Sequence, residues 1–457
     1  MTSLKTRPFE RNLALTKLGL GTGGHFIAHS MANVFRGAEG RKTADQAFYV
    51  ERATELADAL GQLKGSVMKA GQMLSLYGQY FLPPEAVAVL SGLQDDTPAV
   101  DWRVVAPVLE RAIGRHRMAE LDIDTVPMAA ASLGQAHRAR RKRDGLEMVI
   151  KIQYPGVADA IESDIRSLSR LVGLSRLAPK GLDLDPVFNE VREMLHREVD
   201  YDSEANFTSE FQKRLADDPR FVVPRVIGDY SNDRVLTTTY ESGVSVRHAD
   251  IQSLSQDRRD RLGAHFLELF LTEFFDWGMV QSDPHFGNYR IRPRDGGEDQ
   301  IVLLDFGATK LFGRGFIESY SNIVMGALSR NAEQIFRGAI DIGLMDKRFP
   351  PQVMNAFAEL CMQIVEPFEA LDSGRIPAHL LTPDGLYRWH ESDLPMRVGR
   401  IASRNALSVH FRVPPREIIF LHRRLAGVFV MLSALRAELA SRDQLLPVVS
   451  ALASDED

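Results

Sequence analysis

The stretch from Gln281 to Ala308 reads QSDPHFGNYRIRPRDGGEDQIVLLDFGA. It sets Asp283 ahead of Asn288 at the spacing D-x-x-x-x-N and, after an apolar run, presents Asp305-Phe306-Gly307. These residue types in this order suit phosphoryl transfer assisted by a divalent cation. One carboxylate must stand beside the attacking hydroxyl. An amide oxygen and a second carboxylate must meet the metal that bridges the phosphates. Gln300 to Leu304 (QIVLL) is the expected strand that brings Asp305 back beside Asn288. Each motif alone recurs by chance. Together, separated by a Gly/Pro/Arg turn and an aliphatic strand, they carry far more weight.

Such a site needs three more parts. A lysine ending an apolar strand would pair with nucleotide phosphates, and Met148-Val149-Ile150-Lys151 supplies it. An acid on a helix would orient that lysine. Glu204 is the first choice, with Glu190, Glu193 and Glu198 as competitors. A loop must also cover the phosphates. No GxGxxG precedes Lys151, but Met128 to His137 (MAAASLGQAH) lies about a hairpin upstream. Alanine lets the backbone approach a phosphate nearly as closely as glycine, while disfavouring positive φ.

The elements that position these residues follow from periodicity. Residues 43–80 read as helix, with apolar positions at Leu56, Leu60, Leu63, Val67 and Met68. Pro83-Pro84 ends that element, and further helices are expected over 84–94 and 101–114. From about residue 120 the texture turns to short β-prone runs at 122–141, 148–153, 221–229 and 235–240. Helical stretches at 157–177, 186–199 and 204–215 lie between them. An amphipathic helix is expected over 257–277, and mostly helix after Gly315, broken at Pro350-Pro351, 393–395 and Pro414-Pro415. The expected class is α+β: a two-lobed, mostly helical, protein-kinase-like fold with an N-terminal helical extension. The expected domains are that extension (1–115), a small-sheet lobe (116–242) and a helical lobe (243–457).

Bulk properties narrow the class. The 457 residues are 44% hydrophobic and 25% charged, a globular balance, and the net charge of -6 argues against a general nucleic-acid binder. The single cysteine, Cys361, forms no intrachain disulfide, so a reducing, cytoplasmic setting is expected and a packing role for the thiol. No segment reads as a membrane-spanning helix. Residues 1–29 lack a signal-peptide core. Ordinary packing is their expected fate, with a weak interfacial helix as the alternative.

These motifs together resemble the UbiB-type atypical kinases, the family that includes the mitochondrial and plastid ADCK-like proteins. Lys69-Ala70-Gly71-Gln72 resembles the family's KxGQ signature, followed by Leu74-Ser75, Leu82-Pro83 and Leu93-Gln94-Asp95. Ala129, Ala130, Ala131 and Ser132 open its alanine-rich loop, Glu198-Val199-Asp200 resembles its ExD motif, and Glu204 falls at its lysine partner. The similarity runs from about residue 45 to 330 and resumes at His422-Arg423-Arg424-Leu425-Ala426-Gly427. The chain departs from the family where the hinge segment Thr239-Tyr240-Glu241 carries threonine in place of a common glutamate.

The resemblance implies ATP and Mg2+ as cofactors. Lys151 and Glu204 would handle the phosphates, Thr239 to Glu241 the base, Asn288 and Asp305 the metal, and Asp283 the acceptor. It also implies that the KxGQ helices cover the cleft, with Lys69 meeting Glu198, Asp200 or the phosphates. A covered cleft favours water, a lipid or a quinone-precursor small molecule over a protein acceptor. Peripheral membrane contact and quinone-pathway proteins are the partners implied. An unrelated small-molecule kinase and a non-catalytic nucleotide-sensing, lipid-binding scaffold remain open.

Overall fold

The computed structural model describes residues 50–51, 53–57, 69–71, 73, 87–89, 99–175, 184–398 and 415–453. Gln72 and the pairs at 74–75, 82–83 and 93–95 lie outside the described residues, as do residues 1–49. The chain divides into two compact units, Met1–Ser203 with Val226–Tyr240, and Glu204–Arg225 with Glu241–Asp457.

The first unit is built on an antiparallel sheet. Strands β1 (Leu121–Ile123), β3 (Gly134–Arg141), β4 (Glu147–Gln153) and β6 (Val235–Thr239) run in the order β1-β3-β4-β6, with β2 (Ala129–Ala130) on β3. The β4 sequence EMVIKIQ alternates, so Met148, Ile150 and Ile152 are fully buried on one face. Helices α1 (Trp102–Ala119), α2 (Val157–Ser175) and α3 (Asp185–Glu198) belong to this unit, and α1 packs on β4. Asp101 caps α1 by accepting from Arg103 N at 2.8 Å. A buried polar tie fixes the entry to α1. Gln135 accepts from Val100 N at 2.9 Å and donates to Val100 O at 3.1 Å. His137 Nδ1 donates to Asp124 O at 2.7 Å, leaving Nε2 to accept from Gln135, and burial pushes the imidazole pKa down.

Helix α4 (Tyr201–Arg214) follows α3. In the second unit, β5 (Phe221–Val222), α5 (Gln256–Leu271), β7 (Met279–Gln281), β8 (Tyr289–Arg292), β9 (Gln300–Leu303) and β10 (Thr309–Leu311) surround the carboxylate loops. β8 and β9 form an antiparallel hairpin with β5 parallel on its far edge, and β7 pairs with β10. Helices α6 (Arg314–Ser329), α7 (Ala332–Asp341), α8 (Pro351–Ile364), α9 (Arg416–Leu435) and α10 (Ser441–Ser450) complete the unit. Asp299, at the foot of the β8–β9 hairpin, is buried and accepts from Arg258 Nε of α5 at 2.8 Å.

Two expectations need correction, and a third gains a detail. The helix expected over 257–277 is regular only to Leu271. A π-turn, Thr272–Asp276, follows and carries Glu273 to the inside. The region after Gly315 is mostly helical among the described residues, as expected; its exception is β11 (Tyr387–Arg388), paired with β12 (Glu438–Leu439) and too short to leave an alternating pattern. One helix is also long and apolar enough to span a membrane. It is α9, with 20 residues and a mean hydropathy of 1.7, where none was expected. Its apolarity has a local cause, since Ile418, Ile419, Leu421, Val428, Met431, Leu432 and Leu435 are all buried in this unit.

That helix also carries a charge into the core. Arg424 and Glu273 are 0% and 1% exposed and lie 3.2 Å apart. Arg424 Nη1 donates to Tyr289 Oη at 2.7 Å, and Glu273 accepts from Gln281 N at 3.3 Å. Burial raises the Glu273 pKa well above the usual carboxylate range, while Arg424 pulls it the other way. Arg424→Met would leave the buried carboxylate uncompensated. A loss of about 3–5 kcal/mol in urea denaturation is expected, with Glu273→Gln in the same chain restoring much of it. Because the folded pKa lies above the unfolded one, the folded state binds the extra proton. Wild-type stability relative to Glu273→Gln should therefore fall as pH rises from about 4.5 through neutrality.

Candidate active site

The two ladders of the second unit fix the carboxylate loops. β7 ends at Gln281, and Asp283 follows two residues later; β9 ends at Leu303, and Asp305 follows two residues later. Register aligns Thr309 with Gln281 and Tyr289 with Leu303. Leu304 N donates to Asn288 O at 2.9 Å, so the strand returns Asp305 to the level of Asn288. Ser282 Oγ donates to Ala308 O at 2.6 Å, tying the loops together from the other side.

Within this frame the side chains organise one another. Asn288 Nδ2 donates to Asp283 Oδ2 at 2.9 Å and to Asp283 O at 3.2 Å. The amide nitrogen is thereby committed, and Asn288 Oδ1 is the atom it presents elsewhere. Asp283 Oδ1 accepts from Arg423 Nη2 at 2.6 Å. Gln281 Nε2 donates to the carbonyls of both Asp283 (3.0 Å) and Asp305 (3.1 Å). Its Oε1 accepts from Tyr289 Oη, which links the pair of loops to Arg424 and Glu273. Asp305 Oδ1 accepts from Gly307 N at 3.0 Å. Phe306 packs on Phe211 of α4 with ring centroids 4.5 Å apart. Glu204, 4% exposed, lies against the same turn: a Cβ at Gly307 would come within 3.3 Å of its Oε2.

Arg423, Gln281, Arg424 and Glu273 carry no role in the sequence reading. A signal existed for three of them. Two adjacent arginines interrupt the apolar run of α9, and Glu273 sits in LFLTEFFDW, an acid among aromatics.

In the first unit, Lys151 on β4 lies opposite Ala136 and Leu236, with Nζ 5.0 Å from the Tyr201 ring centroid. The alanine-rich segment is a tight hairpin. Ala129 pairs with Ala136, Ala130 with Gln135, and Ala131 N donates to Gly134 O at 2.9 Å. Ser132 is buried in that turn, and its Oγ has no hydrogen-bond partner among the described residues. Thr239 pairs with Met148, Tyr240 N donates to Glu147 O at 3.0 Å, and Arg138 covers the Tyr240 ring at 4.0 Å. Glu241 opens the second unit, 2.8 Å from Arg292. Lys69 Nζ lies 3.0 Å from Glu198 Oε1. Asp200 Oδ1 accepts from Ser203 N at 2.9 Å at the start of α4. Glu193 pairs with Arg197 of its own helix.

A family model described as the ABC1 atypical kinase-like domain matches residues 92–339. The chain belongs to the ABC1 atypical kinase family. That is the UbiB-type group the motifs resembled, and its fold is protein-kinase-like. The fission-yeast protein named atypical kinase COQ8, mitochondrial, is 31% identical over 395 residues, covering 86% of this chain and 62% of the yeast protein. The rat protein named atypical kinase COQ8B, mitochondrial, is 30% identical over 428 residues, covering 93% of this chain and 77% of that one. A Mycobacterium tuberculosis protein solved as an Rv3197–erythromycin complex superposes with a TM-score of 0.58 at 25% identity. That match covers 91% of this chain and 97% of the other.

A steric pin holds the loop that carries Asp283. Gly427 of α9 faces Pro284, and a Cβ at 427 would lie 1.8 Å from Pro284 Cβ. Gly427→Ala must therefore push the loop that carries Asp283, and a loss of about 1–3 kcal/mol in thermal unfolding is expected. Arg423→Ala contrasts with it. The Arg423 and Asp283 side chains are 31% and 28% exposed, so the same measurement should register at most about 1 kcal/mol.

Proposed function

We propose that this ABC1-family chain binds ATP with Mg2+ and transfers the terminal phosphoryl group to water or to a small organic or lipid acceptor. The observation that carries this reading is the Asp283–Asn288 pair, hydrogen-bonded at 2.9 Å in a frame that also holds the Asp305 carbonyl. Among the described residues no three His, Cys, Asp or Glu side chains cluster for a metal. One carboxylate and one amide oxygen, from Asp305 and Asn288, fit Mg2+ instead, since Mg2+ keeps waters and phosphate oxygens for its remaining positions. The buried Ser132 hydroxyl, without a hydrogen-bond partner among the described residues, supports a phosphate-covering role for Ala129, Ala130, Ala131 and Ser132.

When bound, Mg2+ would neutralise charge on the phosphates. The chain's own residues would do the rest. Lys151 would draw the phosphates, and Glu204 would orient it. Thr239, Tyr240 and Glu241 would flank the base. Asp283, with each oxygen already accepting a hydrogen bond from Arg423 or Asn288, would position the acceptor hydroxyl. Lys69, held by Glu198 near Asp200, would close the site to bulky acceptors.

Family membership supports a role in quinone or other isoprenoid lipid metabolism, acting peripherally on a membrane. Quinone-pathway proteins are the proposed partners. The relatives' names place those proteins in mitochondria; for this chain a reducing compartment is proposed, consistent with a buried Cys361 whose thiol pKa burial raises to about 12. The erythromycin complex favours a second reading, in which a bulky organic molecule is the ligand or acceptor.

ATP turnover measured with and without liposomes tests the proposal. Wild type should show a Mg-ATP-dependent thermal shift and hydrolysis that rises with liposomes. Asp305→Asn should abolish both. Asp283→Asn should keep the thermal shift and lose about 10²-fold or more in turnover. A wild-type protein with no nucleotide-dependent shift would overturn the enzymatic reading, and a shift without turnover would identify a nucleotide-sensing scaffold.

A further inference from the structure

The helix that brings Arg423, Arg424 and Gly427 to the catalytic loop continues for two more turns. Those turns line a groove of about 550 Å3 within the second unit. Phe429, Val430 and Ala434 form its apolar wall, and Met396 faces them. Met396 is 66% exposed and Val430 46%, so two large apolar side chains meet water at one concave place.

The polar lining is almost entirely spent. Gln252 donates to the carbonyls of Val246 (2.8 Å) and Ala434 (3.0 Å). Ser392 accepts from Tyr387 Oη at 2.7 Å, and Asp393 accepts from Arg397 at 2.6 Å. Arg247 differs. No carboxylate pairs with it among the described residues, and its guanidinium lies 4.9 Å from the ring of Phe286, inside the catalytic loop.

We propose that this groove is a binding site for a small anionic amphiphile, with one acid group on Arg247 and an apolar body on Phe429, Val430 and Met396. A neutral apolar molecule would cover the cation without a partner, and a cationic one would meet it directly. The volume suits a single organic molecule. One guanidinium is too little for a triphosphate, so the groove is separate from the nucleotide site and its occupancy does not depend on ATP turnover. A head group held by Arg247 competes with Phe286 for the guanidinium, which places the occupant in touch with the catalytic loop.

The probe is 8-anilinonaphthalene-1-sulfonate, an aromatic body with one sulfonate. Its uncharged counterpart is N-phenyl-1-naphthylamine. Folded wild-type protein should bind the sulfonate dye saturably at one site. Arg247→Gln should weaken the sulfonate dye about fivefold, the scale of one partly exposed ion pair, and leave the uncharged dye unchanged. Met396→Glu, at an exposed rim position that leaves folding intact, should weaken the sulfonate dye about tenfold or more by adding a like charge beside a lost apolar contact. Three results would each overturn the site: no saturable binding, equal loss of both dyes in Arg247→Gln, or displacement of the dye by Mg-ATP. A protein that binds the dye and ignores ATP would retain the groove while removing the enzymatic reading.

Discussion

A guanidinium and a carboxylate shut away from water govern the arrangement of the candidate active site. Arg424 and Glu273 are almost completely buried and lie 3.2 Å apart. Such a pair gains little net stability, because desolvation consumes most of the Coulomb attraction. Its effect is on geometry. The two ions demand hydrogen-bond partners, and the partners they recruit are Tyr289 and the Gln281 backbone. Tyr289 in turn fixes the Gln281 side chain, and that side chain grips the carbonyls of Asp283 and Asp305. The two carboxylates are thus set by a chain of contacts that begins in the core. We attribute the π-turn after α5 to the same demand, since it carries Glu273 inward.

This explains which parts of the site were legible in the sequence. Asp283, Asn288 and Asp305 stand out because the chemistry constrains residue type and spacing within one short stretch. The QIVLL run between them is a plain aliphatic strand signal, and the structure makes it β9. Arg423 and Arg424 lie 140 and 151 positions from the residues they hold, a separation that no local pattern encodes. Charges within an apolar helix ordinarily read as a solvated edge, which hides their role. The sheet lobe was legible because strands of five to eight residues show alternation, whereas the two-residue pair β11–β12 does not.

Family membership and geometry answer different questions. Similarity along the chain assigns the ABC1 family and its kinase-like fold. The hydrogen bonds around Asp283 speak to chemistry. A carboxylate whose two oxygens already accept from a guanidinium and an amide has its orientation fixed and suits a templating role. Rate enhancement at such a site would come from orientation and field.

The segment after Asp305-Phe306-Gly307 has a regulatory consequence. Between Gly307 and the start of α6 at Arg314 lie six residues, and three of them belong to β10, paired with β7. Phe312 N donates to Gly278 O at 2.7 Å, closing the remainder. A stretch this short and this firmly bonded has no slack in which to be ordered or released by a covalent mark. Control of output would have to act through what reaches the site, such as nucleotide supply, acceptor delivery or the occupancy of neighbouring surfaces.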